Sequence, residues 1–211
     1  IILADEINRT SPRTQSALLE AMNENQVTID TETFQLPAPF FIMATQNPKE
    51  IQGTYFLPES QIDRFILSVT IGYPETSIEK EIIGGQNENE SFDQINKVLD
   101  SQQVQDLQKS VDSVSAQDEL IDYVHSIVLA TREADYFGLG ASPRAGIQMM
   151  RAARGYALVK GRDYVTPDDI QTIAPHVLAH RLTLRGPSNM LGERSQVLSK
   201  IEDILSSIPV P

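Results

Sequence analysis

Cysteine and tryptophan are both absent from the 211 residues. Without cysteine there is no disulfide framework, no thiolate nucleophile and no cysteine-ligated zinc, and a reducing, cytoplasmic compartment is expected. Long apolar runs are missing as well. Ile1–Ala4 and Phe40–Ala44 fall far short of the roughly 20 residues that cross a bilayer, so no membrane span is expected. Positive charge is scarce in the first half. Residues 1–75 hold 4 Lys and Arg against 10 Asp and Glu, residues 76–118 hold 3 against 9, and residues 119–211 balance at 10 and 10, for a net charge of −12. Affinity for nucleic-acid backbones needs a basic surface, so no nucleic-acid partner is expected. A smaller polyanion can still be met by a few placed arginines.

A phosphate loop is missing too. No G-x-x-x-x-G-K-[ST] occurs, and the glycine-rich stretch Gly138–Pro143 has no lysine after it. The 211 residues alone are therefore expected to cradle no triphosphate and to be inactive by themselves. The chain opens without methionine on an apolar run, which reads as a beginning inside a domain.

What is present has a clear order. Ile1–Ala4 is apolar on both faces, as a central strand of a parallel sheet would be, and ends at Asp5-Glu6. Ser11-Pro12 supplies a cap and a first-turn proline for a helix running to about Glu24. Val27–Leu36 alternates apolar and polar residues around Asp30-Thr31, which predicts a β-hairpin, although its turn lacks an Asn-Gly or Asp-Gly pair. Phe40–Thr45 reads as a second buried strand running into Gln46-Asn47-Pro48. Strand, helix and returning strand imply a parallel α/β sheet with a loop site at its carboxyl edge.

After a loop containing Gly53, the sequence predicts a short helix over Pro58–Arg64, a third strand over Phe65–Ile71 and a domain boundary at Pro74. From Glu75 onward strand patterns disappear. Helices are predicted near Ser77–Gly84, Asp93–Ser101, Gln103–Ser110, Ala116–Glu133, Pro143–Val159, Pro167–Leu178 and Gly192–Ile208. Ser142-Pro143 and Thr166-Pro167 each place a hydroxyl before a first-turn proline. The polar, acidic stretch between Gly84 and Asp118 reads as a solvated face.

Four positions carry candidate chemistry. Consecutive carboxylates at a strand end point to opposite sides, so Asp5 can hold a metal's water shell while Glu6 polarises a water nucleophile. Acids also commonly follow strands. Asn47, just past the next strand, can orient a water between Glu6 and a phosphate, or simply start an Asn-Pro turn. Arg64 ends the short helix, a favourable place for any cation, and can also reach a neighbouring subunit's nucleotide. Arg144 stands at a helix N-terminus, where the dipole disfavours a cation unless an anion is near. That anion is either a phosphate or an acid of the protein. His176 and His180 lie four apart, as zinc ligands can, but lack the metalloprotease glutamate, so no zinc site is expected there; Arg151, Arg154, Lys160 and Arg162 are interrupted by acids and read as a solvated or subunit-contact surface.

Taken together, IILADEINRTSPRTQSALLEAMNENQVTID, FFIMATQNP, GTYFLPESQIDRF and GASPRA resemble consecutive blocks of the MoxR family of AAA+ ATPases. The resemblance implies a partial nucleotide-binding α/β core over residues 1–75 and a helical lid over residues 76–211. It assigns Asp5 and Glu6 to Walker B, Asn47 to sensor 1, Arg64 to the arginine finger and Arg144 to sensor 2, with ATP and Mg²⁺ as cofactors and Asp5 holding the metal through water. It further implies a homo-oligomeric, usually hexameric ring, a partner with a von Willebrand factor A domain, a chaperone-like action on protein clients, and a pore-facing role for the hairpin. Thr31 stands where the family often has a turn glycine. Two alternatives share these residues: a non-hydrolysing interaction module and a magnesium-chelatase-type motor subunit.

Overall fold

The computed structural model describes residues 1–47, 55, 57–84, 95–186 and 190–211, with the backbone alone for 190–193. β1 (Ile2–Ala4) and β4 (Ile42–Ala44) form a parallel pair, with Ile2 opposite Ile42 and Ala4 opposite Ala44. Between them run α1 (Pro12–Glu24) and the hairpin β2 (Gln26–Ile29) and β3 (Glu32–Gln35). Ser11 starts α1, accepting a hydrogen bond from the Thr14 amide with Pro12 in the first turn. The hairpin turn is Asp30-Thr31, and Asp30 takes the left-handed conformation (φ 55°). Asp tolerates that region better than most residues, so the turn closes without glycine.

Both sheet strands were expected to be buried on two faces. They are half-buried on one face through Ile2, Ala4, Ile42 and Ala44, while Leu3 and Met43 share an exposed face. Short helix α2 (Glu59–Ile62) follows, within the predicted Pro58–Arg64 and shorter than it. The Gly53 loop lies outside the described residues.

The expected third strand over Phe65–Ile71 does not form. The Ser68 amide donates instead to the His176 carbonyl of a helix, so the segment is fastened to the helical part rather than joining a ladder. Then come α3 (Thr76–Ile83) and α4 (Ser101–Ser113). The helix predicted over Asp93–Ser101 is also absent: 95–100 is irregular, and 93–94 lie outside the described residues. Asp100 explains the start of α4. Its side chain accepts from the Gln103 amide and the Gln103 side chain accepts from the Asp100 amide, a reciprocal cap that fixes the first turn there.

The helical part is α5 (Asp118–Glu133), α6 (Pro143–Val159), α7 (Pro167–Leu178) and α8 (Met190–Ser207). Strand patterns do not vanish from it entirely, since β5 (Phe137–Leu139) and β6 (Thr183–Leu184) make a small antiparallel ribbon. One apolar cluster runs through all four helices, with Ile127, Met149, Ile170, Leu178 and Ile201 fully enclosed. Ala145, Ala153 and Ala157 line the buried face of α6 and allow its neighbours to approach closely. Asp169 closes the start of α7. Its carboxylate takes the Thr166 amide and hydroxyl and a two-pronged bond from Arg162. Among the described residues, no helix is long and apolar enough to cross a membrane.

Candidate functional site

The parallel register brings the ends of β1 and β4 to one edge. Beyond the ladder, the Thr45 amide donates to the Ala4 carbonyl at 3.0 Å and the Ile7 amide donates to the Thr45 carbonyl at 3.0 Å. Asp5 and Glu6 on one strand end therefore face Thr45 and Asn47 on the other. Sequence reasoning missed Thr45. Its hydroxyl donates to Asp5 Oδ1 at 2.5 Å and accepts the Glu6 amide at 2.8 Å, so one side chain fixes both the Asp5 carboxylate and the Glu6 backbone. The available signal was a hydroxyl residue one step beyond an apolar strand.

Glu6 adopts the left-handed conformation (φ 46°, ψ 53°). For a residue with a Cβ this costs about 1 kcal/mol or more. The corner persists because its surroundings fix it. Ile7 is buried, and the buried Gln15 side chain donates to the Ile7 carbonyl at 3.2 Å from α1. The Glu6 carboxylate lies 3.2 Å from Arg9 Nε. Asn47 is half-buried at the same edge. A donor set of one or two carboxylates at an exposed strand end suits a hard cation that keeps much of its water shell, as Mg²⁺ does.

Arg144 belongs to a second cluster, around Asp63, the residue before Arg64. The Asp63 carboxylate accepts Arg181 Nε at 2.9 Å and the Ser142 hydroxyl at 3.0 Å, and lies 3.7 Å from Arg144 Nη1. The anion that Arg144 calls for at the start of α6 is thus supplied within the chain by an acid. Arg64, the next residue, is half-buried, and its Nε is buried without a hydrogen-bond partner.

The start of α6 is itself anchored. The Ala141 amide donates to the Thr131 hydroxyl at 2.9 Å and Arg132 Nε donates to the Ala141 carbonyl at 2.7 Å, while Ser142 caps the helix by accepting the Ala145 amide. His180 is drawn into this region as well. Its Nε2 meets the Phe65 carbonyl at 2.9 Å, a contact that turns that nitrogen toward a backbone oxygen.

Two family models match in sequence order: the ATPase family associated with various cellular activities (AAA) over residues 1–67, and the AAA lid domain over residues 129–201. Across all 211 residues the chain is 46% identical to the uncharacterized protein YeaC of Bacillus subtilis, and over 192 residues, 87% of the chain, it is 44% identical to the chaperone MoxR1 of Mycobacterium tuberculosis. The chain belongs to the MoxR family of AAA+ ATPases. It spans 65% of YeaC and 50% of MoxR1. A crystal structure of a candidate ATPase from Cytophaga hutchinsonii superposes with a TM-score of 0.86 at 37% identity, covering 100% of this chain and 66% of that one. The parallel α/β portion and the helical lid of this MoxR-family chain are thus those of an AAA+ ATPase.

Proposed function

We propose that the protein hydrolyses ATP and uses the cycle to remodel or assemble protein partners, as the name of the MoxR1 relative suggests. The observation that carries this reading is the strand-end arrangement in which Thr45 ties Asp5 and Glu6 together opposite Asn47. Phosphoryl transfer to water depends on positioning and on stabilising charge rather than on covalent chemistry by the protein. Glu6, held at a rigid corner, accepts a proton from the attacking water. Asn47 orients that water through its side-chain amide. Asp5, oriented by Thr45, would hold Mg²⁺ through water, and the ion would supply positive charge against the phosphates. Arg144 meets the γ-phosphate of the same subunit, and Arg64 meets the nucleotide of the next subunit in a ring.

This reading places the phosphate cradle outside these 211 residues, since no such loop is written in them. It also divides the chain near Pro74 into an ATP-handling core and a lid. A hexameric ring in the cytoplasm, a partner with a von Willebrand factor A domain and a protein client complete it. The test is Glu6→Gln in the whole protein. Removing the base while keeping its shape is expected to leave ATP binding intact and lower kcat by about 10² or more. An unchanged kcat would sink the assignment.

A further inference from the structure

Among the described residues before Pro74, Gln15 is the only polar residue that is fully buried, with 3% of its surface exposed. Glutamine is seldom buried, and a buried amide is kept where its hydrogen bonds find partners. Gln15 Nε2 has three carbonyls in reach, those of Ile7 at 3.2 Å, Thr10 at 3.4 Å and Tyr55 at 3.4 Å. Its two hydrogens serve at most two of them well at once, and the Ile7 carbonyl is the nearest. From α1, this one amide therefore grips the turn that follows Glu6 and a segment 40 residues further along the chain.

Both groups placed near the attacking water hang on what Gln15 holds. Before Glu6 the grip comes from Thr45, whose hydroxyl accepts the Glu6 amide and whose carbonyl accepts the Ile7 amide. After Glu6 it comes at the Ile7 carbonyl, from Gln15 and from the Thr10 hydroxyl at 2.7 Å. The same turn brings Arg9 back to Glu6, its amide donating to the Glu6 carbonyl at 2.8 Å and its Nε lying 3.2 Å from the carboxylate. Asn47 is tied in from the other side. Tyr55, which follows it in the next stretch of chain, donates its amide to the Asn8 carbonyl at 2.7 Å while its own carbonyl faces Gln15. An apolar side chain of similar size could fill the place of Gln15, but it could not join these pieces.

We propose that Gln15 is a positioning residue for hydrolysis, which sets the Glu6 carboxylate and the Asn47 segment in one geometry around the attacking water. The inference rests on the reading above, in which Glu6 takes the proton and Asn47 orients the water. Glu6 stands in the left-handed region (φ 46°), where a residue with a Cβ stays only if its surroundings hold it. Releasing the Ile7 carbonyl lets the Glu6 backbone relax toward the extended region and moves its carboxylate off the strand edge. Asp5 keeps its separate bond from Thr45, so the group that would hold Mg²⁺ is undisturbed. The cost therefore falls on the chemical step and not on nucleotide binding.

Gln15→Met in the whole protein keeps the volume and removes the donors. It is expected to lower kcat about tenfold or more, since misplacing a reacting group by about 1 Å can cost about 10². Calorimetry in a Glu6→Gln background is expected to show unchanged ATP affinity. A double-mutant comparison separates positioning from general support. If Gln15 acts through Glu6, adding Gln15→Met to Glu6→Gln lowers single-turnover hydrolysis no further, whereas two independent losses multiply. An unchanged kcat, a weakened ATP affinity or multiplying losses would each overturn the proposal. Thr10→Val provides a second route if Gln15→Met folds poorly. It removes only the hydroxyl bond to the Ile7 carbonyl, so kcat should fall about two- to tenfold and the loss should vanish in the Glu6→Gln background; an unchanged kcat or a loss that persists there would overturn the proposal. Failure of the ATPase reading looks different, since Glu6→Gln would then turn over like the unsubstituted protein.

Discussion

Mild acid is expected to destabilise the fold through one histidine before the carboxylates titrate. His180 donates through Nε2 to the Phe65 carbonyl, and its Nδ1 is buried with no partner to receive a proton's charge. Burial, and after it the nearby charge of Arg181, push its pKa from 6.5 down to about 4, against the pull of the Phe65 carbonyl. The unfolded chain takes up this proton near pH 6.5 and the folded chain only near pH 4, so between those values the unfolded state binds more protons. The stability tied to neutral His180 is complete above about pH 6.5 and is lost progressively as pH falls to about 4. One pKa unit corresponds to about 1.4 kcal/mol, so the full window amounts to about 3 kcal/mol. Urea unfolding between pH 7.5 and 4.5, followed by circular dichroism, would measure it against His180→Gln. Glutamine can still donate to the Phe65 carbonyl but does not titrate. The stability of the histidine protein should fall by about 2–3 kcal/mol more than that of the variant across this range. Parallel curves would refute the reasoning.

Two further outcomes follow from other parts of the chain. If Arg64 acts on the neighbouring site, mixing Arg64→Ala subunits with unsubstituted ones should depress ATP turnover more than dilution alone; a strictly proportional loss would show that it acts within its own subunit. A Cβ at Gly140 would lie 2.7 Å from Arg132 Cα on α5, so Gly140→Ala must push backbone against backbone. It should lower unfolding stability by about 1–3 kcal/mol, as overpacking does; thermal unfolding with no change would mean that the α5–α6 connection is looser than its hydrogen bonds indicate.

Where local chemistry decides an element, the sequence was readable to the residue. Helices α6 and α7 begin and end where Ser142-Pro143, Thr166-Pro167 and their apolar periodicity place them. Where a distant partner decides, it was not. Phe65–Ile71 has the alternation of a strand, but its backbone groups go to His180, Arg181 and Arg194, more than a hundred residues away. The ribbon of β5 and β6 is three and two residues long, too short to leave a periodic signature, and depends on Phe137 meeting Leu184 across the chain. The candidate site divides in the same way. Asp5, Glu6 and Asn47 could be named because strand ends are local features. Thr45 escaped because its hydroxyl matters only once β1 and β4 are paired. The misfit of Arg144 at a helix start could be seen, but the identity of its anion, Asp63, could not.

Burial in this chain is unevenly distributed. Every member of the large enclosed cluster lies between Val114 and Ile204, while the sheet portion, among the described residues, fully buries only Ile7, Ala21, Leu57 and the side chain of Gln15. Apolar burial sets how costly local opening is. On heating, the corner formed by Asp5, Glu6 and Thr45 should soften while the helices still give a native far-ultraviolet signal. Loss of the candidate site's geometry and loss of the fold would then be two events at two temperatures, with residues 63–68 as the last tie between the half that has melted and the half that has not.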